Sequence, residues 1–353
     1  MNLSEGDEML LLRDTFKETI FTETDLQVIT GIFLIVGVVL NVTLIFLSVN
    51  RVGEGVTSNF VTLAFLDILN LMLLLPEILY VNHRNWKFSE KLCTVYLGVE
   101  CIINISILYV TIMTNLQVIA SINVHQLVKS DSFDDGDELD EHGYQILGNY
   151  EATSTEKPVY YPKRSSFTVF FVLVMILAVS VAFPFFLYAQ KDPLAGMDSS
   201  ICVMRGLNDP IFNTVIAVLV IFVRILLPTM LLICTTFTLF VKYQRIEDEI
   251  LENPIKIALT LSIIVVICSL QRTFGSLLFE IYSAKQITST GINKPFTQFK
   301  YPHVENNFIA ISLTLTHYLS SLVRPFAVLM IQYCCCCRRR KVKTVNCNSS
   351  NEL

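Results

Sequence analysis

The sequence predicts an all-α fold: a bundle of seven transmembrane helices, N-terminus outside and C-terminus cytoplasmic. Three observations predict it. The 353 residues are 53% hydrophobic and only 16% charged, whereas a water-soluble domain carries about a quarter charged residues. The apolar residues fall into seven blocks, each near the ~20 residues that span a bilayer as a helix. The strongest basic cluster, Arg338, Arg339, Arg340, Lys341 and Lys343, directly follows the last block, as expected of a cytoplasmic flank.

Residues 1–27 are acidic and lack a basic stretch ahead of an apolar core. No cleavable leader is expected, and the first span serves as its own insertion signal. An exterior N-terminus makes Asn2, in Asn2-Leu3-Ser4, a candidate glycosylation site, with a chance match as the alternative. The expected spans are Val28–Val49, Phe60–Tyr80, Leu92–Ile122, Phe167–Leu187, Phe212–Val241, Ile255–Tyr282 and Phe308–Tyr333, together the domain 28–333. Each is expected to be helical, because only a helix satisfies its own backbone hydrogen bonds in lipid.

Between the third and fourth spans lies an insertion, residues 123–165, expected on the cytoplasmic side. It carries the tract Asp131 to Glu141, DSFDDGDELDE. Dense negative charge with few apolar residues predicts a solvated spacer. Two competing readings are a contact with the basic cluster of the tail, and an endocytic signal at Tyr144-Gln-Ile-Leu147. The tail, residues 334–353, opens on Cys334, Cys335, Cys336 and Cys337. Cysteines just inside a membrane are candidates for S-palmitoylation; unmodified thiols or metal binding are the alternatives, and adjacent cysteines suit one tetrahedral ion poorly. The basic cluster suits anionic inner-leaflet lipid, about 1 kcal/mol per side chain.

Cys93 opens the third span and Cys202 lies in the loop before the fifth. With the N-terminus outside, both face the oxidising compartment, where a disulfide between them is expected and two free thiols are the alternative. Composition also excludes. Outside the tail no basic face is visible that would take a nucleic acid. No metal-spaced His/Cys cluster, phosphate loop or nucleophile elbow appears, so neither an enzyme nor a cofactor is expected.

The order of several short motifs resembles that of rhodopsin-like G-protein-coupled receptors. They are Gly37-Val-Val-Leu-Asn41 in the first span, Leu63-Ala-Phe-Leu-Asp67 in the second, Trp86-Lys-Phe ahead of Cys93, Pro228 in the fifth and Pro325 in the seventh. The resemblance covers about Val28 to Cys337. It implies a plasma-membrane receptor with a ligand cavity in its outer half and a heterotrimeric G protein or arrestin inside. The departures are specific. The family ends its third span with an acidic-Arg-aromatic triplet, and here that region reads Asn115-Leu-Gln-Val-Ile-Ala-Ser121. The sixth span reads Cys268-Ser-Leu-Gln271 in place of Cys-Trp-x-Pro. The seventh reads Arg324-Pro-Phe-Ala-Val328 in place of Asn-Pro-x-x-Tyr. Atypical or weakened G-protein coupling is therefore expected.

In the family, the second-span acid and the residue before the seventh-span proline flank a bound sodium ion. The matching positions here are Asp67 and Arg324. This implies a direct ion pair, with the guanidinium in place of the cation and both N–H groups of its fork on the carboxylate. The alternative has Arg324 reaching toward water at the inner face. The resemblance likewise turns Glu100, Asn104, Arg224, Arg272 and His317 toward the outer cavity. Ionisable groups inside a membrane are functional candidates. Glu100 is expected to meet the cationic end of a peptide or small polar ligand and the arginines its acid. The alternative is that Glu100 neutralises Arg224 or Arg272 with no ligand involved. His317 is expected either to line the pocket or to pack as a buried polar group. Two other functions compete: a non-signalling scavenger or co-receptor on the same scaffold, and a chemoreceptor-type ligand-gated channel of inverted topology.

Overall fold

The computed structural model describes residues 22–49, 56–83, 85–134, 164–193, 200–204, 215, 218–245, 249–269 and 307–349. The described residues are almost entirely helical. Eight α-helices follow one another: α1 (Glu23–Val49), α2 (Thr57–Met72), α3 (Leu74–His83), α4 (Glu90–Asp134), α5 (Arg164–Tyr188), α6 (Leu227–Tyr243), α7 (Glu249–Cys268) and α8 (Asn307–Ser349). A two-stranded hairpin, β1 (Ala189–Pro193) and β2 (Ser200–Met204), follows α5, and a π-helical turn, Phe222–Leu226, leads into α6.

Among the described residues, six helical stretches are long and apolar enough to cross a membrane: Thr24–Val49, Thr57–His83, Glu90–Gln126, Thr168–Tyr188, Val218–Tyr243 and Leu251–Cys268. α8 packs beside them, against α7, α1, α3 and α2. The most central helix is α4. Of its most apolar window 78% is buried, against 22% for the first stretch and 28% for the fourth. The reason is in its composition. Ser106, Thr111, Thr114, Asn115, Gln117 and Ser121 of α4 are all buried, and such groups are costly facing lipid but bond well inside a bundle. α4 accordingly contacts α5, α6, α2 and α7. The helices α1 and α5 are more uniformly apolar and leave Ile35, Phe46, Val169 and Phe183 on the outer surface.

Three boundaries differ from the sequence expectation. The second span is broken at Leu73 into α2 and α3. Pro76, two residues into α3, has no N–H for the Met72 carbonyl and its ring crowds that carbonyl; Leu73 N–H turns back to the Asn70 carbonyl at 2.9 Å. Second, helix continues into the expected insertion 123–165. α4 is 45 residues long, roughly 67 Å at ~1.5 Å per residue, and carries the chain through Asp134, past the start of the acid tract. The rest of that tract, with Tyr144, lies outside the described residues. Third, α8 runs on through the expected tail as far as Ser349. The side chains of Cys334, Cys335, Cys336 and Cys337 lie outside what is described, as does Asn2.

The hairpin closes one end of the bundle. β1 and β2 pair antiparallel with Lys191 opposite Cys202, and Cys202 is disulfide-bonded to Cys93 at the start of α4. The segment before α4 is tied to the same hairpin. Trp86 N–H donates to the Ser200 carbonyl at 2.6 Å, and Ser200 N–H donates to Asn85 Oδ1 at 2.9 Å. The Trp86 indole is fully buried and meets Tyr80 and Phe88 edge-on. This aromatic cluster and the Cys93–Cys202 bridge mark the disulfide end of the bundle.

Candidate functional site: two buried charge pairs

Asp67 of α2 and Arg324 of α8 are each about 1% exposed. Arg324 Nε donates to Asp67 Oδ2 at 3.1 Å and Nη2 donates to Oδ1, the two-bond geometry that a guanidinium fork and a carboxylate share. Arg324 does not reach for water. Polar groups from three helices surround the pair. Asn41 of α1 donates to the Ser321 carbonyl at 2.9 Å, and Asn70 of α2 donates to Ser321 Oγ at 3.0 Å. On the side away from the disulfide end, a small cavity with apolar walls, Leu44, Phe60, Leu63, Leu261 and Val328, abuts the pair. Such walls hold the local dielectric low and strengthen the attraction. They also raise the cost of exposing either charge alone.

The second pair lies nearer the disulfide end. Glu100 follows Cys93 by seven residues on α4, about two turns along the same face. Its carboxylate accepts from Asn104 Nδ2 at 3.3 Å, and Arg224 Nη2 lies 3.6 Å from Glu100 Oε1. That separation is too long for a strong hydrogen bond, so the contact is chiefly coulombic. The Arg224 side chain is 15% exposed and that of Glu100 5%. One pair is thus doubly hydrogen-bonded and buried, while the other meets at a longer distance and is partly open on its cationic side.

Arg224 lies within the π turn Phe222–Leu226. Leu227 N–H donates to the Phe222 carbonyl, an i→i+5 bond. The next such bond would run from residue 228 to the Val223 carbonyl, but Pro228 has no N–H. Tyr109 of α4 supplies the donor instead: its hydroxyl bonds the Val223 carbonyl at 3.3 Å.

The other expected site residues are placed as follows. His317 is buried in α8 with its ring edge-on to Tyr318. Arg272 lies outside the described residues. The structure brings Glu100, Asn104 and Arg224 together, and joins Asp67 to Arg324 and Cys93 to Cys202. Two groups that bear on the interior were not singled out from sequence. Glu77 of α3 is fully buried and accepts a hydrogen bond from the Tyr318 hydroxyl of α8. An ionisable group in an apolar span is the signal that selects Glu100, and it applies to Glu77 equally. Asn115 donates to Thr235 of α6 at 3.1 Å and to Ser262 of α7 at 2.9 Å. It thereby ties three helices together in the region where the receptor family carries its charged triplet.

Among the described residues no group of three or more His, Cys, Asp or Glu side chains is placed to hold a metal ion. No protein-family model matches the chain, and no curated protein matches it.

Proposed function

We propose that this chain is a plasma-membrane receptor of the rhodopsin-like kind, with α8 as a seventh crossing and the disulfide end outside. Its ligand is a peptide or other small polar molecule, and its G-protein coupling is atypical or weak. The observation that carries the reading is the contrast between the two charge pairs. The Asp67–Arg324 pair is buried and bidentate, so it serves the fold. The Glu100–Arg224 pair is held at 3.6 Å with its arginine partly open. A ligand acid that bonds Arg224 through two N–H groups replaces a long contact with a short charge-assisted one. It also frees Glu100 to take the ligand's own cation. A ligand that makes this exchange in one bundle arrangement and not in another shifts the balance between them.

A non-signalling surface protein on the same scaffold is the second reading. It is favoured by the neutral Asn115 node where a charged triplet is expected. Two measurements test the proposal. Epitope tags are placed at both termini; the N-terminal tag is expected to label on intact cells and the C-terminal tag only after permeabilisation. A panel of G-protein and arrestin recruitment assays is then run on the parent, on Glu100→Gln and on Arg224→Gln, with a library of short peptides and amino-acid derivatives as the probe. Ligand-dependent recruitment lost in both variants supports a receptor. Surface expression with no recruitment of either kind supports the non-signalling protein, and a cytosolic N-terminus supports the channel.

A further inference from the structure

The π turn before α6 raises a question that the charge pairs do not answer. A π turn holds one residue more than an α turn and is less stable than continuous α-helix, so where it persists something compensates it. Here the orphaned group is identifiable. Pro228 removes the amide that the Val223 carbonyl would otherwise receive, and a buried carbonyl without a donor is costly in a membrane interior. The Tyr109 hydroxyl, on a neighbouring helix and 6% exposed, bonds that carbonyl. Arg224 is the next residue along. One inserted residue rotates the segment on the N-terminal side by about 100° relative to continuous α-helix, so the state of this turn decides which way the guanidinium points.

We propose that Tyr109 is a positioning residue: its hydroxyl stands in for the amide proton Pro228 lacks, and so holds the π turn that aims Arg224 at Glu100. Its functional meaning rests on the reading of Glu100 and Arg224 as the ligand-facing pair, but the geometry is testable without any ligand. On this proposal Tyr109 touches neither charge. It acts on the pair only through the backbone of the segment that carries Arg224, which makes the turn a two-position element between the centre of the bundle and the candidate cavity.

The test uses the full chain, purified in detergent, and reads the coupling between Glu100→Gln and Arg224→Gln from melting shifts. In the parent background the two substitutions are expected to be non-additive, with a coupling of about threefold or more in the unfolding equilibrium. In the Tyr109→Phe background the coupling is expected to fall to about onefold, while the coupling between Asp67→Asn and Arg324→Asn stays as in the parent. A hydroxyl that merely stabilised the bundle would lower every melting temperature and leave the Glu100–Arg224 coupling intact, and that result overturns the proposal. Additivity already in the parent overturns it too, because there is then no charge pair to aim. Pro228→Ala supplies the missing amide, so adding Tyr109→Phe to it is expected to change neither melting temperature nor coupling. If Tyr109→Phe alone does not accumulate, the double variant must restore accumulation, and failure to do so overturns the proposal. None of these outcomes depends on a ligand being found, so the receptor reading stands or falls separately.

Discussion

Replacing Asp67 by Asn removes one charge from a buried site. The magnitude follows from the geometry. Asp67 and Arg324 share two hydrogen bonds, and both side chains are at most 2% exposed. Arg324 left alone keeps its charge, because a guanidinium does not deprotonate in a protein. An arginine held at the centre of a membrane helix costs about 2.5–3.5 kcal/mol on insertion scales. Breaking a buried pair by removing one partner costs about 3–5 kcal/mol in proteins generally. Against a total stability of about 5–15 kcal/mol, either figure is a large share. Asp67→Asn and Arg324→Asn are each expected to cut surface display severely. The double variant contains no charge to strand and is expected to recover about 2–3 kcal/mol relative to the sum of the singles. The assay is surface labelling normalised to total expression, with thermal melts of purified protein alongside. Simple additivity would refute the reasoning, as would a loss below about 1 kcal/mol in either single variant, the range of pairs that water screens.

Three further predictions follow from packing and hydrogen bonding. A Cβ at Gly98 of α4 would run into the ring of Phe186 in α5, so Gly98→Ala is expected to cost about 1–3 kcal/mol by overpacking; Phe186→Leu should relieve most of that in the same melting assay. Tyr318→Phe removes the hydroxyl that bonds the buried Glu77 carboxylate and is expected to cost about 1–2 kcal/mol, with little further loss when Glu77 is already Met. Reduction of Cys93–Cys202, which closes a separation of 109 residues, is expected to destabilise by about 2–4 kcal/mol; a melting temperature unmoved by reductant would show that the aromatic cluster around Trp86 holds the hairpin unaided.

The sequence located the six described stretches that are long and apolar enough to cross a membrane, because length and continuous apolarity are local properties that a bilayer reads directly. It also required that Asp67, Glu100, Arg224 and Arg324 turn inward, because lipid offers a charge no partner. Composition and periodicity do not place them azimuthally; the pairing of Asp67 with Arg324 is expected only through the receptor resemblance. A helix that faces lipid on one side and apolar side chains on the other carries little amphipathic contrast to mark its inner face, and each residue of slip turns it by about 100°. Tertiary structure therefore decided that Asp67 meets Arg324 through two bonds and that Glu100 meets Arg224 across 3.6 Å. It also decided the break at Leu73, the hairpin over the disulfide end and the π turn at Arg224. Pro76 and Pro228 are visible in the chain, but a proline shows only that a backbone bond is missing. Which neighbouring group makes up the loss, as the Tyr109 hydroxyl does for Val223, depends on which helix lies alongside, and only the packed bundle settles that.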